Sequence, residues 1–164
     1  MTAYNKHKTT TKSSGAMKRY LISSIIFLFS FIAAAAQSGL HVNSLFGGKF
    51  QNRSDATEVT LKGRKISKYK LSLFRSLTIS GKSAEAREVE RLVKADAAKA
   101  VDKESGSRGA RLYYGFYRLH PQGKQNRYIF YRNNAFKAGA KPVLTLIYME
   151  GTASIAELKQ NFSK

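Results

Sequence analysis

The sequence predicts an α+β domain: an antiparallel sheet of about five strands with helices packed against it, in the order α-β-β-α-β-β-β-α. Three observations carry this. One long segment, Val89 to Val101, repeats apolar residues at three- and four-residue spacing. Short runs rich in β-branched and aromatic residues lie on both sides of it. Two of the later runs flank His120-Pro-Gln-Gly123, whose proline and glycine suit a type I turn and an antiparallel hairpin.

Taken in order, Leu40 to Phe46 is a short apolar stretch ending at Gly47-Gly48, where a helix can stop because glycine tolerates positive φ. Thr57 to Leu61 alternates and predicts a strand. Gly63 to Lys70 is basic and irregular. Leu71 to Ile79 predicts a second strand, with Leu71, Leu73, Leu77 and Ile79 on one parity and Arg75 interrupting that face. Ser83 is positioned to cap the long helix, with Glu85 and Glu88 near the positive end of its dipole. Val89, Leu92, Val93, Ala97, Ala100 and Val101 form its apolar stripe, and Glu90 and Lys94 an i,i+4 pair on the other face. Ser105 to Gly109 reads as the loop that follows.

Arg111 to Leu119 and Arg127 to Arg132 are the hairpin strands. Val143 to Met149 is almost continuously apolar, as a central strand buried on both faces would be, and Gly151 ends it. Ser154-Ile-Ala-Glu157 is a capping box that opens a last helix, with Ile155, Leu158 and Phe162 on one side.

Ahead of this domain, Lys18-Arg19 precede an apolar run from Tyr20 to Ile32, four alanines (Ala33 to Ala36), and Gln37. Basic, apolar and small-residue regions in that order are what a secretory signal peptide requires. The expectation is a leader over 1–36 cleaved after Ala36, with the 17-residue run kept as an uncleaved anchor as the alternative. Met17 stands directly before Lys18-Arg19, so translation is expected to begin there and residues 1–16 to be an extension. The remaining domain, 37–164, is of a size that buries about two-thirds of its unfolded surface.

The 164-residue chain has no cysteine, which excludes disulfides, a zinc-thiolate site, a cysteine nucleophile and a lipidated N-terminal cysteine. Of its 29 basic residues, five (Lys6, Lys8, Lys12, Lys18, Arg19) precede the apolar run, so residues 37–164 carry 24 − 10 = +14. Such a field favours anionic partners and leaves the fold undetermined.

The alanine-ended leader, the lone helix before three closing strands, and the stretch Leu146-Ile-Tyr-Met-Glu-Gly-Thr-Ala-Ser-Ile-Ala-Glu-Leu158 resemble small exported proteins of unknown function from Bacteroidetes. The resemblance implies a cell-envelope address in a Gram-negative bacterium; the expected localisation is periplasmic or extracellular, and the missing cysteine excludes a lipoprotein. It carries over no functional residue.

Catalytic chemistry is weakly represented. His7 lies in the expected extension of residues 1–16, His120 sits in the expected turn, and His41 has no acid beside it in sequence. Of ten carboxylates, Glu150 alone stands at a strand end of the kind enzymes use, without an evident partner for two-carboxylate hydrolysis. No nucleophile elbow, P-loop or dinucleotide fingerprint is present, and no catalytic, cofactor or metal residue is assigned.

Two basic groups are candidates for anion binding. Lys62, Arg64, Lys65, Lys68 and Lys70 cluster between the first two strands. Arg111, Arg118, Arg127 and Arg132 interleave with the aromatic rings of the hairpin, where they could pair phosphates or lie as stems over a buried ring face. Tyr114-Gly-Phe116 matches part of an RNA-recognition strand, but its flanking residues are missing and export removes RNA as a natural ligand.

The expected function is therefore a non-enzymatic envelope binding module for an anionic polymer, a lipid headgroup or an acidic protein, with no cofactor and no nucleic-acid partner. The alternatives are an enzyme with a dispersed site using Glu150 or His41, and a subunit of a larger envelope assembly.

Overall fold

A six-stranded, wholly antiparallel sheet in the order β1-β2-β6-β5-β4-β3 organises the computed structural model, which describes residues 39–81 and 84–162. The strands are β1 (Ala56–Lys62), β2 (Leu71–Ser80), β3 (Asp102–Arg108), β4 (Arg111–Gln122), β5 (Gln125–Asn133) and β6 (Val143–Gly151). Three helices accompany them: α1 (Arg64–Ser67), α2 (Ala86–Ala97) and α3 (Ile155–Phe162). A 3-10 turn, His41–Leu45, comes first. The expected leader, its cleavage point, the Met17 start and the Ser83 cap lie outside the described residues. No helix among the described residues is long and apolar enough to cross a membrane.

The α+β class and the antiparallel sheet follow the expectation, and the strand count is corrected from five to six. Ser105 to Gly109, expected as a loop, belongs mostly to β3, whose residues Asp102-Lys-Glu-Ser-Gly-Ser-Arg108 pair with β4. That segment is exposed or half-buried throughout, so no apolar periodicity marks it. Its ladder with β4 places it at the sheet edge, and its charges protect that edge from pairing with another chain.

Three smaller corrections have local causes. Gly63 to Lys70 is not wholly irregular: α1 forms there because Ile66 finds a buried site. The hairpin turns at Gly123-Lys124 rather than over His120 to Gly123, since Gln122 pairs with Gln125 and Gly123 takes φ 59° at the first corner. Val101 lies beyond the end of α2 and is exposed.

The two faces of the sheet are covered at opposite ends. On the first face, Leu77, Ile79, Leu144, Leu146, Ile129, Tyr131, Tyr117 and Leu112 meet α2 and the 3-10 turn through Val89, Val93, Val42 and Leu45. On the second, α1 and α3 cover Leu71, Tyr128 and Met149 with Ile66 and Leu158. Tyr128 and Asn126 both donate to the Ala153 carbonyl, fixing the entry to α3 (2.7 and 3.1 Å). The capping box forms as its spacing requires: Ser154 N–H donates to Glu157 Oε2 (2.8 Å) and Glu157 N–H to Ser154 Oγ (3.3 Å).

Lys70 donates to Glu157 as well, at 2.5 Å. That lysine first, then the Ser154 backbone and hydroxyl, hold the Glu157 carboxyl down at about 2. A carboxylate depressed in the folded state stabilises it above its unfolded value of about 4.3, and that contribution is lost as pH falls further. Stability should therefore decline between about pH 5 and pH 2, and Glu157→Gln should flatten that decline in an acid series of denaturant melts. An unchanged slope would remove Glu157 from the account.

Candidate functional site

The second face is left open beyond α3, and a groove runs along it. Its first part, about 300 Å³, is floored by Phe74, Phe116, Phe130, Ile147 and Met149 and walled by Tyr114, Leu158 and Lys159. Its continuation, about 670 Å³, is bounded by Arg108, Arg132 and Lys137 together with Tyr113, Phe136, Asn133 and Asn134. Tyr114 and Phe130 line both parts, packed edge-to-face at 5.9 Å and 78°. Both volumes lie in the range of small-molecule sites, about 300–1,000 Å³.

Strand alternation builds the groove. Phe116, Phe130 and Ile147 face one another across β4, β5 and β6 in register, and each is only half-buried. Beyond Phe116 the parity of β4 changes at a register shift, which leaves Leu112 in the core and Tyr113 exposed. Tyr113 lies against Gly106 of β3, where a Cβ would stand 2.5 Å from its Cζ.

At the apolar end, Tyr114 donates to Glu104 Oε1 (3.3 Å) and Lys159 to Glu104 Oε2 (2.9 Å), linking α3 to β3 across the rim. At the basic end the loop after β5 is pinned: Asn134 Oδ1 accepts from Val143 N–H (2.5 Å) and Asn133 Oδ1 from Ala135 N–H (3.0 Å). Arg108 Nη1 donates to the Phe136 carbonyl (3.1 Å).

The nine arginines and lysines singled out by sequence do not form one surface. Lys62, Arg64, Lys65, Lys68 and Lys70 are all exposed and lie together at the β1–β2 corner. Among the described residues, Lys70 alone of the five has an ion-pair partner, and Lys68 lies 4.9 Å over the Tyr69 ring. The hairpin arginines divide between the faces. Arg111 Nε donates to Glu90 (2.7 Å) and Arg127 Nε to the His120 carbonyl (2.9 Å), both on the first face. Arg118 and Arg132 lie on the second face, opposite Tyr128 and Tyr114 in the ladder. Arg118 Nε is buried with no hydrogen-bond partner among the described residues, and Arg132 is exposed at the groove.

Three carboxylates have partners that sequence reading does not show. Asp96, buried, accepts from the backbone N–H groups of His41 and Val42 (both 2.9 Å), and its Oδ1 lies 2.7 Å from His41 Nδ1. It therefore caps the 3-10 turn, and the histidine ring is an addition to that cap. Its position on the stripe, seven residues after Val89 and three after Val93, is the signal that places it inward.

Glu90 is likewise buried. It accepts from Lys94 and Arg111 (2.7 Å each) and from the Leu112 backbone (2.9 Å), correcting the expectation that it lies on the outer face of α2. Burial pushes its carboxyl up, but these three donors outweigh that and hold it below the ordinary range.

Glu150 accepts from the Tyr148 hydroxyl at 2.5 Å. Burial, then Glu150, push that phenol well up, so it stays a donor. Neither His41 nor Glu150 lines the groove. Among the described residues no group of three or more histidines and carboxylates is placed to hold a metal.

Neither the curated proteins nor the solved structures contain a match to this chain. A family model does match, over residues 29–162, which is most of the chain and all of the strands. The chain belongs to the family of unknown function DUF6108.

Proposed function

We propose that this chain is an exported, non-enzymatic binding module of a bacterial cell envelope that docks an anionic partner at the β1–β2 corner. The observation that carries the reading is the exposed cluster of Lys62, Arg64, Lys65 and Lys68 on a turn fixed by buried Ile66, within a domain of charge +14. Exposed cations on a rigid corner attract an anionic polymer, lipid headgroup or acidic protein from a distance set by the Debye length. The signal-peptide pattern before Gln37 supports export, and the resemblance of the Leu146–Leu158 stretch to small exported proteins supports an envelope address.

An enzyme is the second reading, favoured only by the His41–Asp96 pair. Against it, both Asp96 oxygens already serve the turn, and neither His41 nor Glu150 opens into the groove.

The test is binding to phosphatidylglycerol vesicles and to heparin as salt rises from about 0.05 M to about 0.5 M. Binding should fall steeply, and charge reversal at Lys62, Arg64, Lys65 and Lys68 together should abolish it. Binding that survives high salt, or that the reversed variant retains, rejects an electrostatic dock at this corner.

A further inference from the structure

We propose that the groove on the second face binds a single-chain anionic amphiphile, an alkyl chain with a carboxylate head such as a free fatty acid. This goes beyond the docking corner, which lies diagonally across the sheet from the basic end of the groove.

The argument is charge and polarity complementarity across two adjoining pockets that share Tyr114 and Phe130 in their lining. The inner part offers the half-buried Phe116, Phe130 and Ile147 as an apolar bed, with buried Met149 at its covered end. Burying a chain there removes apolar surface from water at about 25 cal/mol per Å². The adjoining pocket is lined by Arg108, Arg132 and Lys137, and among the described residues no carboxylate lines it.

A purely apolar ligand leaves those three cations unused, and a small polar anion leaves the aromatic bed unused. A ligand with both parts satisfies both. Arg108 uses one donor on Phe136, leaving the rest of its guanidinium for a carboxylate. The loop carrying Phe136 and Lys137 is held by Asn134 before any ligand arrives, which lowers the ordering cost of binding.

The experiment is a titration of the purified protein with monomeric dodecanoate and, in parallel, with dodecanol, read by calorimetry and by the methyl NMR signal of Met149. Saturable one-to-one binding of dodecanoate with movement of the Met149 methyl is expected. Arg132→Glu with Lys137→Glu, both at exposed positions, should weaken dodecanoate about tenfold or more and leave dodecanol within about threefold. Circular dichroism verifies that the double variant is folded.

Three results overturn the proposal: equal affinity for acid and alcohol with no effect of the charge reversal, saturation without movement of Met149, or binding only to phosphatidylglycerol vesicles. The corner reading is scored separately. Salt-sensitive heparin binding that persists in the double variant leaves that reading standing whichever way the groove is decided.

Discussion

Glu90→Ala is expected to lower the unfolding free energy by about 3 kcal/mol, enough to move the melting temperature by roughly 10 °C in a domain of this size. The side chain is 5% exposed and receives three donors at once. Two of them, Lys94 and Arg111, are 46% and 36% exposed, so they regain water when the carboxylate goes. The third, the backbone N–H of buried Leu112, has no such recourse and costs about 1–3 kcal/mol if left unpaired. The remainder comes from losing the attachment of α2 to the start of β4.

Glu90→Gln keeps an acceptor for Leu112 and should lose about half as much. Urea melts of the two variants check this. Equal losses for alanine and glutamine would show that charge rather than the Leu112 bond is decisive. A loss under about 1 kcal/mol would mean that water replaces the carboxylate.

Glu90 and Asp96 also show where a sequence stops being legible. The stripe of α2 predicted which apolar residues face the sheet, and Val89, Leu92, Val93 and Ala97 are all buried. Periodicity gives direction only, whereas the partners of the two acids lie 22 and 54 residues away, in segments whose proximity the topology creates. Asp96 could be read as inward by its spacing; Glu90 could not, because the i,i+4 lysine gives an outward reading of equal merit.

The strands divide in the same manner. β6 is apolar because it lies between β2 and β5, so composition reveals it. β3 is an edge with neither face buried, so its residues obey no pattern and only pairing with β4 defines it. The groove was half visible. The alternation of rings and arginines from Arg111 to Arg132 marked the hairpin, but which of those rings stay open depends on where α3 ends its coverage. Phe136 and Lys137, in a loop without periodicity, gave no signal at all.

Gly151 is a position where a small change has a large expected consequence. Adding one methyl group by Gly151→Ala places a Cβ against the Lys70 carbonyl oxygen and 2.7 Å from the Leu71 Cα, and neither is a side chain that can turn aside. The contact sits at a knot of three elements. Gly151 pairs with Leu71 at a register shift in β2, and the Lys70 carbonyl accepts from Thr152 and Ala153 (2.9 and 3.2 Å) on the way into α3. Lys70 is itself at φ 57°, in the left-handed region.

Overpacking against backbone in a closed site costs about 1–3 kcal/mol and more where nothing can move, so about 3 kcal/mol is expected. The loss should be greatest at the α3 end of the sheet. Hydrogen exchange should show Thr152, Ala153 and the first turn of α3 losing protection before the first-face core does.

Lys70→Gly is the matched control. It relieves about 1 kcal/mol of left-handed strain and adds a similar backbone entropy cost, so any loss should come from its ion pair with Glu157 and fade as the pH falls toward 2. If Gly151→Ala is tolerated as well as Lys70→Gly, the close approach of β6 to the Lys70–Leu71 backbone is not what fixes this corner. If Gly151→Ala instead unfolds α3 while the sheet persists, the apolar end of the groove loses Leu158 from its wall, and amphiphile binding should fail with it.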